Sequence, residues 1–102
     1  MKEIYLAIGK INAMKPASVE LRLNKATEEL GELAKEVNKL TGMKKTKETT
    51  EQIMDNLAAE GADTIQCIFS VLLEKGVTYE LLIAKLLEKN AKWISDNNEV
   101  KE

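Results

Sequence analysis

Residues 18–40, which read SVELRLNKATEELGELAKEVNKL, decide the fold. Apolar side chains recur in this stretch every three or four residues, which places them in one continuous row along a helix. The row contains Leu23, Ala26, Leu30, Leu33, Val37 and Leu40. We therefore predict a helix from about Ser18 to Leu40 or Thr41, with Gly42 as its C-terminal cap.

One helix is expected before this stretch, over about Lys2–Met14. Ile4, Ile8 and Ile11 share one of its faces. The helix should end before Pro16, because the residue preceding a proline avoids helical backbone geometry.

Two further helices are expected after a lysine-rich connection at residues 43–50. Thr49 and Gln52 are spaced as a capping box that opens the third helix, which should reach about Lys75 and end at Gly76. Thr78 should cap a fourth helix that ends at about Asp96. A polar tail, Asn97–Glu102, follows. Because the connections are short, neighbouring helices should be antiparallel, and residues 1–96 should form one all-α domain with a four-helix bundle-like protomer.

Composition agrees with this class and excludes several others. The 102 residues are 44% apolar, 31% charged and 4% aromatic, which is typical of one small helical domain. The net charge of −2 offers no field that would attract nucleic acid or an anionic membrane. The single cysteine, Cys67, excludes an internal disulfide, and the absence of histidine excludes Ser-His-Asp catalysis and imidazole-based zinc sites.

The chain has no predicted membrane segment. Its longest mostly apolar stretch, 67–73, is far shorter than the roughly 20 residues that cross a bilayer. The N-terminus carries an early acidic residue and no apolar signal region. We therefore expect a cytoplasmic protein.

Two rows of acidic residues are the candidates for a functional site. On the second helix Glu29 and Glu32 lie roughly 60° apart, and Glu28 and Glu36 extend the row. On the third helix a polar row borders the apolar face and consists of Asn56, Glu60, Asp63, Cys67 and Ser70. Glu60 should be substantially buried, and no lysine of its own helix lies three or four residues away.

The pairs Glu29/Glu32 and Glu60/Asp63 should converge if the two helices pack antiparallel. A divalent cation would relieve the repulsion between the four carboxylates, and all-oxygen ligation favours Mg²⁺ or Mn²⁺. The alternative is that these carboxylates only pair with lysines of another helix or subunit.

The fourth helix places an amide, Asn90, within an apolar face. Lys85, Lys89 and Lys92 follow one edge of that face. Asn90 could contact a ligand or be a satisfied polar group of the core. The lysines could hold phosphates or could simply be solvated.

The acidic motifs resemble the E-E-x-x-E…E-x-x-D signature of the MazG-like, all-α nucleoside triphosphate pyrophosphohydrolases. Glu28-Glu29-x-x-Glu32 is followed, after 27 residues, by Glu60-x-x-Asp63. Lys89-Asn90-Ala91-Lys92-Trp93 is similar to the closing element of that family, and the resemblance spans about residues 20–94.

The resemblance implies a Mg²⁺-dependent enzyme, with Mn²⁺ as a possible substitute. Such an enzyme cleaves a nucleoside triphosphate between its α and β phosphates and releases a monophosphate and pyrophosphate. By that analogy Glu29, Glu32, Glu60 and Asp63 bind metal, and Glu28 assists in activating water or orients a neighbouring group. The substrate would be contacted by Lys89, Asn90 and Lys92.

The acidic face of the second helix lies opposite its apolar row, so burying both requires the helix to be sandwiched. We therefore expect a homodimer or homotetramer, with the cleft near or across a subunit interface. Two other functions remain open. One is a phosphoribosyl-ATP pyrophosphohydrolase, although its usual Gly-Glu-Glu start and its histidine after the second motif are missing here. The other is a non-catalytic helical interaction module.

Overall fold

The computed structural model of the chain consists of four α-helices. It describes the backbone of residues 1–101 and the side chains of residues 1–97, and no strand occurs within that backbone range. The helices are α1 (Lys2–Met14), α2 (Val19–Leu40), α3 (Thr50–Glu74) and α4 (Tyr79–Lys101). The predicted all-α class and the four predicted helices are confirmed.

The helices begin and end where local chemistry favours it. The hydroxyls of Ser18, Thr49 and Thr78 each accept a hydrogen bond from the backbone N–H three residues later, and the capping box at Thr49 is complete. Gly42 and Gly76 follow α2 and α3 with φ of 81°. Such a left-handed conformation is strained for residues with a Cβ, which explains glycine at both helix ends.

Helices α2 and α3 form an antiparallel hairpin. Arg22, near the beginning of α2, donates to Ser70 Oγ near the end of α3 over 2.9 Å. Lys39, near the end of α2, lies 3.1 Å from the carboxylate of Glu48, just before α3 begins. The antiparallel packing on which convergence of the acidic rows depends is therefore present.

A small apolar core lies where α1 meets the end of α3 and the beginning of α4. Tyr5 is 1% exposed, and its ring contacts Phe69 edge-on with the centroids 5.1 Å apart. Its hydroxyl donates to the Val77 carbonyl over 2.8 Å, which satisfies the one polar atom of the ring. The rest of the core consists of Ile8 with the partly buried Leu73, Tyr79 and Leu82.

Helix α2 turns a different row toward α3 than its apolar pattern suggests. Its buried residues are Ala26, Glu29 and Glu36. Leu23 and Leu30 of the apolar row are each 56% exposed. The charged row that includes Glu29 and Glu36 lies one residue, or about 100°, away from the apolar row, and ion pairs with nearby lysines compensate its buried carboxylates. The side of α2 that is buried therefore combines Glu29 and Glu36 with Ala26 of the apolar row, while Glu28 and Glu32 stay exposed and Leu23 and Leu30 are more than half exposed. The expectation that the acidic face lies opposite the apolar row is thus wrong for Glu29 and Glu36.

Helix α4 leaves the other helices after its first turns. Tyr79 and Leu82 contact the core, and within the described backbone α1 is the one helix that α4 approaches closely. Farther along, Leu86, Trp93 and Ile94 are 47%, 71% and 63% exposed. A single chain is therefore an open arrangement of four helices rather than a closed bundle.

The fourth helix is longer than expected: it was predicted to end at about Asp96, and it continues to Lys101. No glycine or proline occurs there to end it. Of the predicted polar tail Asn97–Glu102, the side chains after Asn97 and all of Glu102 lie outside the described residues.

Over the residues described, none of the four helices combines the length and apolar character that a membrane crossing requires.

Candidate metal centre

Three of the four predicted metal ligands meet between α2 and α3. Glu29, Glu60 and Asp63 each offer a carboxylate oxygen, and these oxygens lie within 4.8 Å of one another. Glu60 and Asp63 are successive members of one face of α3, and Glu29 reaches them from α2 because its row faces α3. Residues from two separate sequence motifs thus lie together in one group of three acids, which we call the acidic triad.

The acidic triad is partly withdrawn from water. Glu29 is 9% exposed, Glu60 is half-buried and Asp63 is exposed. Oxygen Oε2 of Glu60 is buried and has no hydrogen-bond partner among the described residues. Such an atom is costly unless a cation or a donor compensates it. The group is therefore closed on the helix side and open at Asp63.

The proximity of the carboxylates shifts their proton affinities. Burial raises the pKa of Glu60, and the neighbouring charges of Glu29, Asp63 and Glu32 raise it further. The Lys25 ammonium lowers the pKa of Glu29, and a hydrogen bond from Glu60 contributes to the lowering. The crowded carboxylates therefore oppose ionisation of Glu60, and a cation between them would relieve that repulsion.

Lys25 is the cation that contacts the acidic triad. Its Nζ lies 3.0 Å from Oε1 of Glu29 and 3.6 Å from Oε1 of Glu28. Within residues 1–97, no lysine or arginine nitrogen lies within 4.0 Å of the Glu60 or Asp63 carboxylate. Lys25 therefore contacts only Glu29 of the three acids, and the triad keeps uncompensated negative charge.

The two remaining acids of the first motif, Glu28 and Glu32, are not part of the triad. Glu32 is exposed and falls outside the group of three, although it is close enough for its charge to raise the pKa of Glu60. The side chain of Glu28 is 64% exposed and faces Lys25. Glu36, one turn beyond Glu32, is ion-paired with Lys39 at 3.1 Å and belongs to a separate contact that fixes the connection before α3.

A cavity of about 610 Å³ adjoins the triad between α1, α2 and α3. Glu29 and Asp63 line one part of it, and Lys25, Gln66 and Cys67 also contribute. Apolar side chains form much of the remaining wall, among them Ile8, Ile11 and Leu21. The cavity therefore offers a polar, acidic part beside an apolar part, an arrangement common in small-molecule sites.

A buried polar clamp forms the wall of the cavity farther along α3, and the sequence analysis missed it. Arg22 Nη1 donates to Asn12 Oδ1 over 2.7 Å and to Ser70 Oγ over 2.9 Å. Ser70 Oγ donates to Asn12 Oδ1 over 2.6 Å, and Asn12 Nδ2 donates to the Ser70 carbonyl over 3.0 Å. Arg22 Nη2 also reaches the Lys15 carbonyl at 3.0 Å. The clamp joins α1, α2 and α3, and of its three side chains only Ser70 was singled out by the sequence, as a member of the polar row of α3.

The predicted substrate-binding residues do not join the triad within one chain. Lys89, Asn90 and Lys92 lie on the outer part of α4, and all three are exposed. Asn90 is therefore not a satisfied polar group of a core. Lys85 beside them pairs with Glu88 at 3.2 Å on the surface of the same helix.

The acidic triad fits a hard divalent cation. Its donors are all carboxylate oxygens, which Mg²⁺ and Mn²⁺ prefer. Such an ion would bind the unpartnered Glu60 oxygen and would supply the positive charge that is missing at Asp63. The open side leaves room for water or substrate oxygens to complete the coordination shell.

Comparisons with models of known protein families, with curated proteins and with solved structures found no match to this chain.

Proposed function

We propose that the chain is a Mg²⁺-dependent nucleotide pyrophosphohydrolase of the cytoplasm that cleaves nucleoside triphosphates to monophosphates and pyrophosphate. The observation that supports it most is the meeting of Glu29, Glu60 and Asp63, with an oxygen of each within 4.8 Å of the others. The E-E-x-x-E…E-x-x-D resemblance supplies the reaction, and the adjoining cavity of about 610 Å³ offers space for a nucleotide.

In this proposal the triad holds Mg²⁺ or Mn²⁺, and Glu32 approaches from the edge. The bound ion would neutralise phosphate charge, lower the pKa of bound water and stabilise the charge of the transition state. Glu28 is 64% exposed beside Lys25, and in this proposal its carboxylate accepts a proton from the attacking water. The apolar walls of the cavity exclude bulk water from one side of the substrate.

The proposal includes a homodimer or homotetramer. Leu23 and Leu30 of α2 and Trp93 and Ile94 of α4 are each more than half exposed, and apolar rows of this extent are typical of association surfaces. The lysines and Asn90 of α4 do not meet the triad in one chain. In an oligomer, α4 of a second copy could bring Lys89, Asn90 and Lys92 to the nucleotide, as the family resemblance implies.

A non-catalytic interaction module is the second candidate, and the ion pair between Lys25 and Glu29 favours it. In that case lysines alone compensate the acids, and no metal binds. The absence of a cation near Glu60 and Asp63 within the described residues favours the enzyme instead.

The decisive experiment incubates the purified protein with a panel of ribonucleoside and deoxyribonucleoside triphosphates plus Mg²⁺ and measures pyrophosphate separately from orthophosphate. Variants Glu60→Gln and Asp63→Asn remove charge from the triad with little change in volume. Asp55→Asn is the matched control, because Asp55 is an exposed acid on the same helix.

We expect pyrophosphate release that EDTA abolishes, that Glu60→Gln and Asp63→Asn reduce at least about 100-fold, and that Asp55→Asn leaves unchanged. Folded protein that binds Mg²⁺ but releases no pyrophosphate from any nucleotide would contradict the reaction. Folded protein that neither binds Mg²⁺ nor shifts its melting temperature with it would favour the interaction module.

A further inference from the structure

Lys25 lies at the junction of three features of the site. Its ammonium contacts Glu29 Oε1 at 3.0 Å, it approaches Glu28 at 3.6 Å, and its side chain lines the cavity that reaches Asp63. The Lys25 side chain is 55% exposed, whereas that of Glu29 is 11% exposed. The lysine is therefore the movable partner of the pair, and the glutamate is the fixed one.

A divalent ion in the triad competes with this ammonium. Glu29 is the one acid that α2 contributes to the triad, and its Oε1 is already occupied by Lys25. Two cations on one carboxylate repel each other strongly at such distances. The lysine stem has four rotatable carbon–carbon bonds and is mostly solvated, so the ammonium can withdraw without disturbing α2.

The withdrawn ammonium stays next to the substrate. Its stem is anchored one turn before Glu29, on the part of α2 that lines the cavity. A polyphosphate held at the triad brings several negative oxygens to this position. An ammonium binds phosphate as a compact point charge, and phosphate carries more charge than the exposed Glu28 carboxylate.

We propose that Lys25 is a resident counter-cation, which neutralises Glu29 in the metal-free protein and is transferred to a substrate phosphate when a divalent ion occupies the triad. The inference rests on the proposed function, since it requires both the ion and a phosphate ligand. It assigns Lys25 two successive partners and makes it a phosphate-binding residue outside the acidic motifs.

This assignment predicts effects of opposite sign from one substitution. Lys25→Met keeps the length and apolar stem of the side chain but removes the competing charge. Divalent ions should then bind more tightly, while a phosphate ligand should bind more weakly. A lysine that only supports the shape of the site would weaken both.

The experiment measures Mn²⁺ binding by calorimetry and then titrates inorganic pyrophosphate into protein saturated with Mn²⁺. For Lys25→Met we expect the Mn²⁺ Kd to fall about two- to fivefold and the pyrophosphate Kd to rise about tenfold. Lys25→Arg should keep both constants within about twofold of the parent chain. Lys10→Met is the control for loss of one positive charge, because Lys10 is exposed on α1 and has no ion pair among the described residues.

Lys25→Met that weakens Mn²⁺ binding, or leaves it unchanged, overturns the role as counter-cation. Tighter Mn²⁺ binding with unchanged pyrophosphate binding overturns the transfer to phosphate. In both cases the parent protein still binds Mn²⁺, so the proposed function survives. Failure of the parent protein to bind Mn²⁺ overturns the proposed function and this inference together.

Discussion

Asn12→Ala should be among the most destabilising single substitutions outside the apolar core. Asn12 is 8% exposed and takes part in three hydrogen bonds that join α1 to the hairpin. Alanine would leave the Ser70 carbonyl without its side-chain donor and would remove one acceptor of the Arg22 guanidinium. It would also leave the Ser70 hydroxyl without an acceptor.

The size of the effect follows from those contacts. A neutral buried hydrogen bond contributes about 1 kcal/mol and one to a charged group about 1.5–3 kcal/mol. Arg22 keeps its bonds to Ser70 Oγ and the Lys15 carbonyl, so part of the charged contribution remains. We therefore expect Asn12→Ala to lower the free energy of unfolding by about 3 kcal/mol, a large fraction of the total for a small domain.

Urea unfolding of the metal-free protein, followed by circular dichroism at two protein concentrations, measures this loss. With an m-value of about 1.5 kcal/mol/M, the midpoint should fall by about 2 M. Asn24→Ala is the control, because Asn24 is exposed on α2 and should change stability by less than about 0.5 kcal/mol. A loss below about 1 kcal/mol for Asn12→Ala would refute the clamp as a stabilising contact between α1 and the hairpin.

Three further outcomes are expected. Tyr5→Phe should lower the free energy of unfolding by about 1 kcal/mol in urea, because the Val77 carbonyl loses its donor; no change would mean that water replaces the hydroxyl. Glu60→Gln should raise the metal-free melting temperature at pH 7, because it removes a repelled carboxylate. The pKa of Glu60 is raised in the folded state, so its ionisation destabilises the fold as pH rises above the ordinary value of 4.5. The increase in melting temperature that Glu60→Gln causes should therefore shrink as pH falls toward 4.5. A lower melting temperature, or an increase that does not depend on pH, would contradict this. Trp93, the one tryptophan, is 71% exposed in a single chain. If the chain self-associates through α4, Trp93 becomes buried, and its fluorescence should shift to shorter wavelength as protein concentration rises. Constant emission together with a monomeric mass would contradict self-association through α4.

The helices themselves were predictable from the sequence because their ends are encoded locally. Pro16 ends the first helix, Gly42 and Gly76 follow the second and third, and hydroxyl caps precede three of the four. The end of α4 was not predictable in the same way. No glycine or proline follows Asp96, and polar composition alone does not end a helix.

The rotation of α2 was not predictable from its apolar pattern. The row containing Leu23 and Leu30 predicts a core face, but the adjoining row with Glu29 contacts α3. Two rows separated by one residue differ by about 100°, and their choice depends on the neighbouring helix. Here α3 presents its own polar row, in which Glu60 and Ser70 meet partners from α2 and α1.

The acidic triad was partly predictable because helical spacing and antiparallel packing bring Glu29 opposite Glu60 and Asp63. The buried clamp was not, since Asn12, Arg22 and Ser70 come from three helices and share no spacing motif. Lys25 precedes Glu29 by four residues, a spacing that favours an ion pair on a helix, but its competition with a metal ion follows only from the 3.0 Å contact in the structure.

A metal site between α2 and α3 is tested most directly by anomalous scattering from crystals grown with Mn²⁺. We expect a manganese peak with carboxylate oxygens of Glu29, Glu60 and Asp63 at about 2.1–2.2 Å, and no such peak in crystals of Asp63→Asn. A fully folded chain with no manganese peak between α2 and α3, or with the ion bound elsewhere, would show that the acidic triad is not a metal site.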